Sequence, residues 1–186
     1  MVDMKIHQGN LLIAEPSIIG DANFHRSVVL LANHKESASL GFILNKPFDF
    51  LLKDILPEIK SSIEIHYGGP VEPDNLYFIH NSPELIRGSI KINDGLYWGG
   101  DFEKVIQLIK NESIDEQNIR FFLGYSGWGA NQLQNEIELN SWIIKENFVG
   151  HEVINAESKS FWRKQIRSLG GDYLIWGNAP ENPNHN

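Results

Sequence analysis

The apolar positions of this chain fall into two patterns. Before residue 100 they come as short continuous runs. Leu11 to Ala14 (L-L-I-A) is closed by Glu15-Pro16. Ser27 to Ala32 (S-V-V-L-L-A) and Leu40 to Leu44 are unbroken, as expected of strands buried on both faces. A short polar connector, N-H-K-E-S-A-S, joins these two and predicts an antiparallel hairpin. Asp49 is placed to cap a short helix, L-L-K-D-I-L, which Pro57 stops. Ile63 to His66 alternates weakly and meets Y-G-G-P-V, and Asn75 to His80 reads as a strand. Gly88 to Ile92 and Leu96 to Trp98 flank Asn93-Asp94-Gly95, a hairpin turn signal.

After residue 100 the period lengthens. Asp101 is an N-cap candidate behind two glycines, and Phe102, Val105, Ile106 and Ile109 form a helical stripe. Ile119 to Leu123 returns to strand. It then meets Y-S-G-W-G at 125–129, read as a glycine-rich turn that opens a helix over Asn131 to Leu139 with Leu133 and Ile137 inward. Ser141 to Lys145 is a strand candidate. Ser158 to Leu169 is a helix with Trp162, Ile166 and Leu169 on one face, ended by Gly170-Gly171. The tail, 178–186, reads as loop. Strands followed by mixed helices and strands predict an α+β fold, and no linker or repeat divides the single domain expected over 1–186.

Composition narrows the function. The chain has 186 residues, 41% of them hydrophobic and 22% charged, enough for a core without cross-links. Cysteine is absent, which excludes disulfides, thiol nucleophiles and thiolate-bound metals. Sixteen basic residues against 24 acidic ones leave a net charge of −8, which disfavours a broad grip on nucleic acid. No apolar stretch approaches the roughly 18 residues of a spanning helix, and the N-terminus lacks a signal-peptide core. The expectation is a cytoplasmic protein without membrane contact.

Several motifs then fall in order: G-N-L-L-I-A-E-P at 9–16, F-H-R-S-V-V-L-L at 24–31, His34, G-F-I-L-N-K-P at 41–47, Y-G-G-P-V at 67–71 and G-Y-S-G-W at 124–128. Gln132-Leu133, Glu136, Trp142, Trp162, Leu169-Gly170 and a P-E-N-P tail complete the series. Together they resemble the AlgH/YqgE family of small bacterial proteins over nearly the whole chain. The resemblance implies an α+β fold whose strongly bent mixed sheet forms a pseudo-barrel with flanking helices. Members are often labelled transcriptional regulators. The resemblance carries over no catalytic residue, cofactor or DNA-binding element. Where relatives often have two further small residues before Gln-Leu, this chain has Asn131.

The candidate site is the start of the helix after Gly129. A helix start offers unpaired N–H donors and a partial positive charge, so a small ligand with an acidic end suits it. Ser126 and Gly127 belong to the turn, Tyr125 and Trp128 supply flat walls, and Gln132 and Glu136 lie one helical turn apart. Tyr67, Gly68, Gly69 and Pro70 are the expected opposite wall, with Asn45 and Lys46 at the rim. The leading reading is a non-enzymatic binding or regulatory protein, without cofactor or metal, acting through a small anionic ligand or a protein partner. One alternative is a hydrolase of small esters or phosphates using Ser126, since G-Y-S-G-W approaches a nucleophile elbow but places Trp128 where a glycine is needed. Another is direct DNA binding through Lys159, Arg163 and Arg167, a stripe that otherwise reads as a solvated helix face. The seven histidines form no short metal-binding pair, and His34 and His80 are expected to end strands and bond the backbone.

Overall fold

A computed structural model describes residues 6–18, 20–146 and 150–179. Ten strands and six helices follow one another in it: β1 (Leu11–Ala14), β2 (Val28–Lys35), β3 (Ala38–Ile43), β4 (Pro47–Leu51), α1 (Leu52–Ile55), β5 (Glu64–Tyr67), β6 (Val71–His80), β7 (Ile90–Asn93), β8 (Leu96–Trp98), α2 (Phe102–Lys110), β9 (Ile119–Gly129), α3 (Gln132–Glu138), β10 (Trp142–Lys145), α4 (Gly150–Ile154), α5 (Ser158–Leu169) and α6 (Tyr173–Asn178). The fold is α+β. Its sheet runs β10-β1-β2-β3-β9-β6-β8-β7, with β5 branching from β9 and β4 pairing with β5. β5 and β9 run parallel while the other pairs are antiparallel, so the sheet is mixed. The path keeps two separate ends among the described residues, so the bent sheet stops short of a closed barrel.

The continuous apolar runs have a direct cause. Successive side chains of a strand point to opposite faces, so a strand covered on both faces needs apolar residues at every position. In β1, Leu11 and Ile13 join one core and Leu12 and Ala14 another; in β2, Val28, Leu30 and Ala32 part from Val29 and Leu31 in the same way. The first core is roofed by α4 and α5 through Val153, Ile154, Phe161, Trp162 and Ile166. The second lies under Phe24, Trp128, Trp142 and α3. A third core, beneath α1 and α2, takes Phe121, while its neighbour Phe122 faces the first.

Helix boundaries follow local chemistry. Asp101 caps α2 by accepting from the Lys104 amide at 3.0 Å. Asp49 does not cap α1: it lies within β4, and Asp54 accepts from the Leu51 amide at 2.7 Å instead. The helices α4 and α6 have no counterpart in the sequence reading. Asn178, expected in the loop-like tail, ends α6, and residues 180–186 of that tail lie outside the described residues. No described helix is long and apolar enough to cross a membrane.

Candidate functional site

The expected helix-start site has a different geometry. β9 does not turn at Tyr125; it continues to Gly129, with Leu40 paired to Gly127 and Ser39 to Trp128. Burial alternates along this stretch, Ser126 and Trp128 inside and Gly127 and Gly129 outside, which is strand period. Helix α3 begins only at Gln132, has seven residues, and is entered through Asn131 in the left-handed region at φ 60°. Close packing falls instead to the glycines just before this stretch and in the Tyr67 to Val71 segment. A Cβ on Gly68 would sit 2.1 Å from Gly124 O, and one on Gly124, at φ 69°, would sit 2.4 Å from Gly69 O. The two glycine segments do face one another, but they touch backbone to backbone.

The polar groups around that contact satisfy one another. Ser126 is fully buried and donates to Gly68 O at 3.0 Å. Glu136 Oε2 accepts both indole N–H groups, Trp128 at 2.9 Å and Trp142 at 2.8 Å, while Oε1 accepts from Gln132 at 3.0 Å. Gln132 in turn accepts from the Gly129 amide at 3.1 Å. Tyr125 meets Tyr77 edge-on with ring centroids 5.6 Å apart, Tyr67 donates to Asn23 at 2.8 Å, and Pro70 is exposed. His80 ends β6 beside Gly99 O at 3.1 Å, as expected, whereas His34 meets the Ser39 hydroxyl at 2.8 Å rather than backbone.

Lys46 adjoins Tyr67, whose amide donates to Lys46 O at 2.7 Å, and Asn45 and Lys46 also line a cleft of about 720 Å³ at the first turns of α5. Three separated segments converge there: His25-Arg26, Asn45-Lys46, and α5 with Lys159, Trp162 and Arg163. Lys159 and Arg163, read as part of a solvated helix face, therefore form one wall of a cationic cleft whose described lining residues include no carboxylate, while Glu157 at the N-cap of α5 accepts from the lining Ser160 hydroxyl at 2.8 Å. Asn45 builds it, accepting from the Val28 amide at 2.7 Å and donating to Arg26 O at 2.8 Å. Lys46 donates to Ala22 O at 3.1 Å and Asn23 O at 2.6 Å, and burial lowers its pKa against the pull of Asp21. The Arg26 guanidinium stands 5.1 Å from the Trp162 ring centroid, and Arg26 and Arg163 each donate to Ala179 O at 3.4 Å. No side chain caps the N-terminus of α5, so its first-turn N–H groups add positive potential at the same place.

Beneath the cleft lies a buried polar cluster. Ser158, which lines the cleft, is 2.9 Å from His66 Nε2 and 2.8 Å from Arg120 Nη2. Arg120 also donates to His66 Nε2 at 2.7 Å, to Leu44 O at 2.7 Å, and through Nη1 to Val153 O, Ile154 O and Ala156 O at 3.3, 2.8 and 3.0 Å. An arginine only donates, so His66 Nε2 accepts and the ring is neutral. Burial, then the Arg120 charge, pushes the His66 pKa down to about 3, which makes it a poor base for Ser158. Burial lowers Arg120 to about 10, so it keeps its charge at neutral pH. The sequence reading missed both residues. The available signal was an arginine inside the apolar run N-I-R-F-F-L.

Comparison with known proteins agrees with this architecture. A family model described as AlgH-like matches residues 11–174. A UPF0301 protein of Chlorobium phaeobacteroides is 41% identical over 184 residues, spanning 98% of this chain and 97% of that protein. One from Cytophaga hutchinsonii is 41% identical over 181 residues, spanning 96% and 98%. Among solved structures, the AlgH protein of Pseudomonas aeruginosa superposes with a TM-score of 0.72 at 23% identity, covering 94% of this chain and 95% of that one. A protein from Corynebacterium diphtheriae gives 0.74 at 21%, covering 96% and 95%. At these identities the structural likeness is one of fold.

Proposed function

This chain belongs to the AlgH-like family, and on that premise we propose that it is a non-enzymatic, regulatory binding protein that takes a small anionic ligand in the α5 cleft. The observation that carries this reading is the convergence of Lys46 and Lys159, with Arg26 and Arg163 beside them, on a helix start that no side chain caps. Cations and outward N–H groups at one concave place suit a phosphate or carboxylate. The volume is that of a metabolite site. Asn45 and Lys46 stay in the proposed site; Tyr67 to Pro70, Tyr125 to Trp128, Gln132 and Glu136 are assigned to the brace behind it. A cytoplasmic setting goes with a cysteine-free chain.

The alternatives have less support. Ser126 has no exposure, and its hydroxyl is engaged with Gly68 O. Direct DNA binding asks for many phosphate contacts from a chain of net charge −8. The test is an NMR titration with inorganic phosphate, followed at the Ser158, Lys159 and Ser160 amides and the Trp162 indole. Saturable shifts are expected, weakened about tenfold by Lys159→Glu and strongly by added salt. An absence of saturable shifts, or indifference to Lys159→Glu, rejects the cleft.

A further inference from the structure

His25 is half-buried and lines the α5 cleft together with its cations. Its Nδ1 stands 2.8 Å from Ile18 O. A carbonyl only accepts, so Nδ1 carries the hydrogen, and the lone pair of the neutral ring is on Nε2. That Nε2 has no partner among the described residues and is not sealed from solvent. The other candidate nucleophiles of the cleft are engaged or charged. The Ser158 hydroxyl sits between His66 and Arg120, and the Ser160 hydroxyl donates to Glu157. Lys46 donates to two carbonyls, and Lys159 is an exposed ammonium without a lone pair. The backbone beside His25 is held in an uncommon shape. Arg26 is left-handed at φ 52°, and Asn45 pins it by accepting from the Val28 amide and donating to Arg26 O. Asp21 and Glu157 stand outside the described lining of the cleft, and Asp21 accepts from the Asn23 and Phe24 amides at 2.9 and 3.2 Å.

Resting on the reading of the cleft as an anion site, we propose that His25 Nε2 is a phosphoryl acceptor that takes its group from a small acyl phosphate. Nε2 attacks phosphorus, the bond from phosphorus to the acyl oxygen breaks, and its electron pair leaves with the carboxylate. A nitrogen–phosphorus bond replaces it. No proton has to move, because Nδ1–H stays on Ile18 O and the ring takes up the positive charge. Lys46, Lys159 and the first amides of α5 hold the phosphoryl oxygens, and phosphoryl transfer asks for little beyond such positioning and charge. The mark puts anionic charge among the cations of the cleft, which ties occupancy of the cleft to the supply of acyl phosphate.

The experiment incubates the full chain with acetyl phosphate and follows its intact mass, with peptide mapping at neutral pH. One added phosphoryl group per chain is expected, lost in acid, stable in alkali and mapped to His25. Acid lability separates it from an ester on Ser158 or Ser160. His25→Gln, which keeps a donor for Ile18 O, should lose the label. Lys159→Glu should gain it about tenfold more slowly. His151→Gln, outside the cleft, should match the parent. Mapping on the parent locates the label whether or not His25→Gln folds. No label, an acid-stable label, or a label spread over the other histidines overturns the proposal. Titration of the parent with inorganic phosphate separates the chemistry from the site. Saturable phosphate shifts without a label overturn the phosphoryl acceptor alone, and the absence of both overturns the cleft with it.

Discussion

Glu136 and Trp128 are joined across the gap between β9 and α3, carboxylate Oε2 to indole nitrogen at 2.9 Å, and the same oxygen accepts from Trp142. One acceptor thereby satisfies two largely buried donors. Replacing Glu136 by Ala orphans both. The expected loss is about 2–3 kcal/mol of stability, with Glu136→Gln milder because one acceptor remains. Urea unfolding followed by tryptophan fluorescence measures it, and an unchanged midpoint would remove Glu136 from the brace.

Gly68 and Gly124 leave no space for a side chain between them. Gly68→Ala must separate β5 from β9 at a backbone contact that no rotamer change can relieve. The expected cost is about 3 kcal/mol or more, or failure to accumulate folded protein. Gly20→Ala, with open space around its Cβ position, is the matched control.

Phe122 stacks on Phe42 with centroids 4.9 Å apart, and both are fully buried. Phe122→Ala should cost about 3–5 kcal/mol, mostly as a residual cavity. Thermal and urea unfolding on the same variant give two independent readings of that loss.

The depressed pKa of His66 sets a direction in pH. In the unfolded chain the imidazole titrates near its ordinary 6.5, and in the fold near 3. Between these values the unfolded state holds the extra proton, so stability is full above about 6.5 and falls as pH drops toward 3. The drop attributable to this group is on the order of a few kcal/mol. Urea midpoints from pH 7 to 4 should fall more steeply for the parent than for His66→Gln. Parallel slopes would show that His66 is not the titrating group.

Duplex DNA should bind weakly. The cleft is a single cluster on a chain of net charge −8, and exposed charges beyond about a Debye length are screened. Fluorescence anisotropy on random duplexes should show only salt-sensitive association. Submicromolar binding at physiological ionic strength, lost on neutralising Lys159, Arg163 and Arg167, would reverse this reading.

The legible parts of the sequence are those where one local rule decides. Unbroken apolar runs marked β1, β2 and β3, Asn93-Asp94-Gly95 marked the β7–β8 hairpin, and Asp101 marked the start of α2. Glycine misled where its local meaning is ambiguous. In Y-S-G-W-G the glycines are exposed positions of a strand rather than a turn, and only the pairing with β3 resolves that. The site was legible in pieces. Asn45 and Lys46 were singled out, but their partners Arg26, Lys159 and Arg163 lie far away in sequence and meet only in the fold. His66 and Arg120 were silent because their roles come from burial and from α4 and α5 folding back over the sheet.

The arrangement of β9 bears on how the chain assembles. This one strand pairs with residues as early as Ala38 and with β5 and β6 as well, so the first 80 residues include strands whose neighbour has not yet been synthesised. High contact order of this kind makes folding slow and tightly coupled, because loop closure precedes the contacts that reward it. Until residue 129 leaves the ribosome, the edges of β3 and β6 that will face β9 stand open to foreign strands. Once β9 is seated, the halves on either side of it lose their independence, and their amides should exchange with solvent as one cooperative unit.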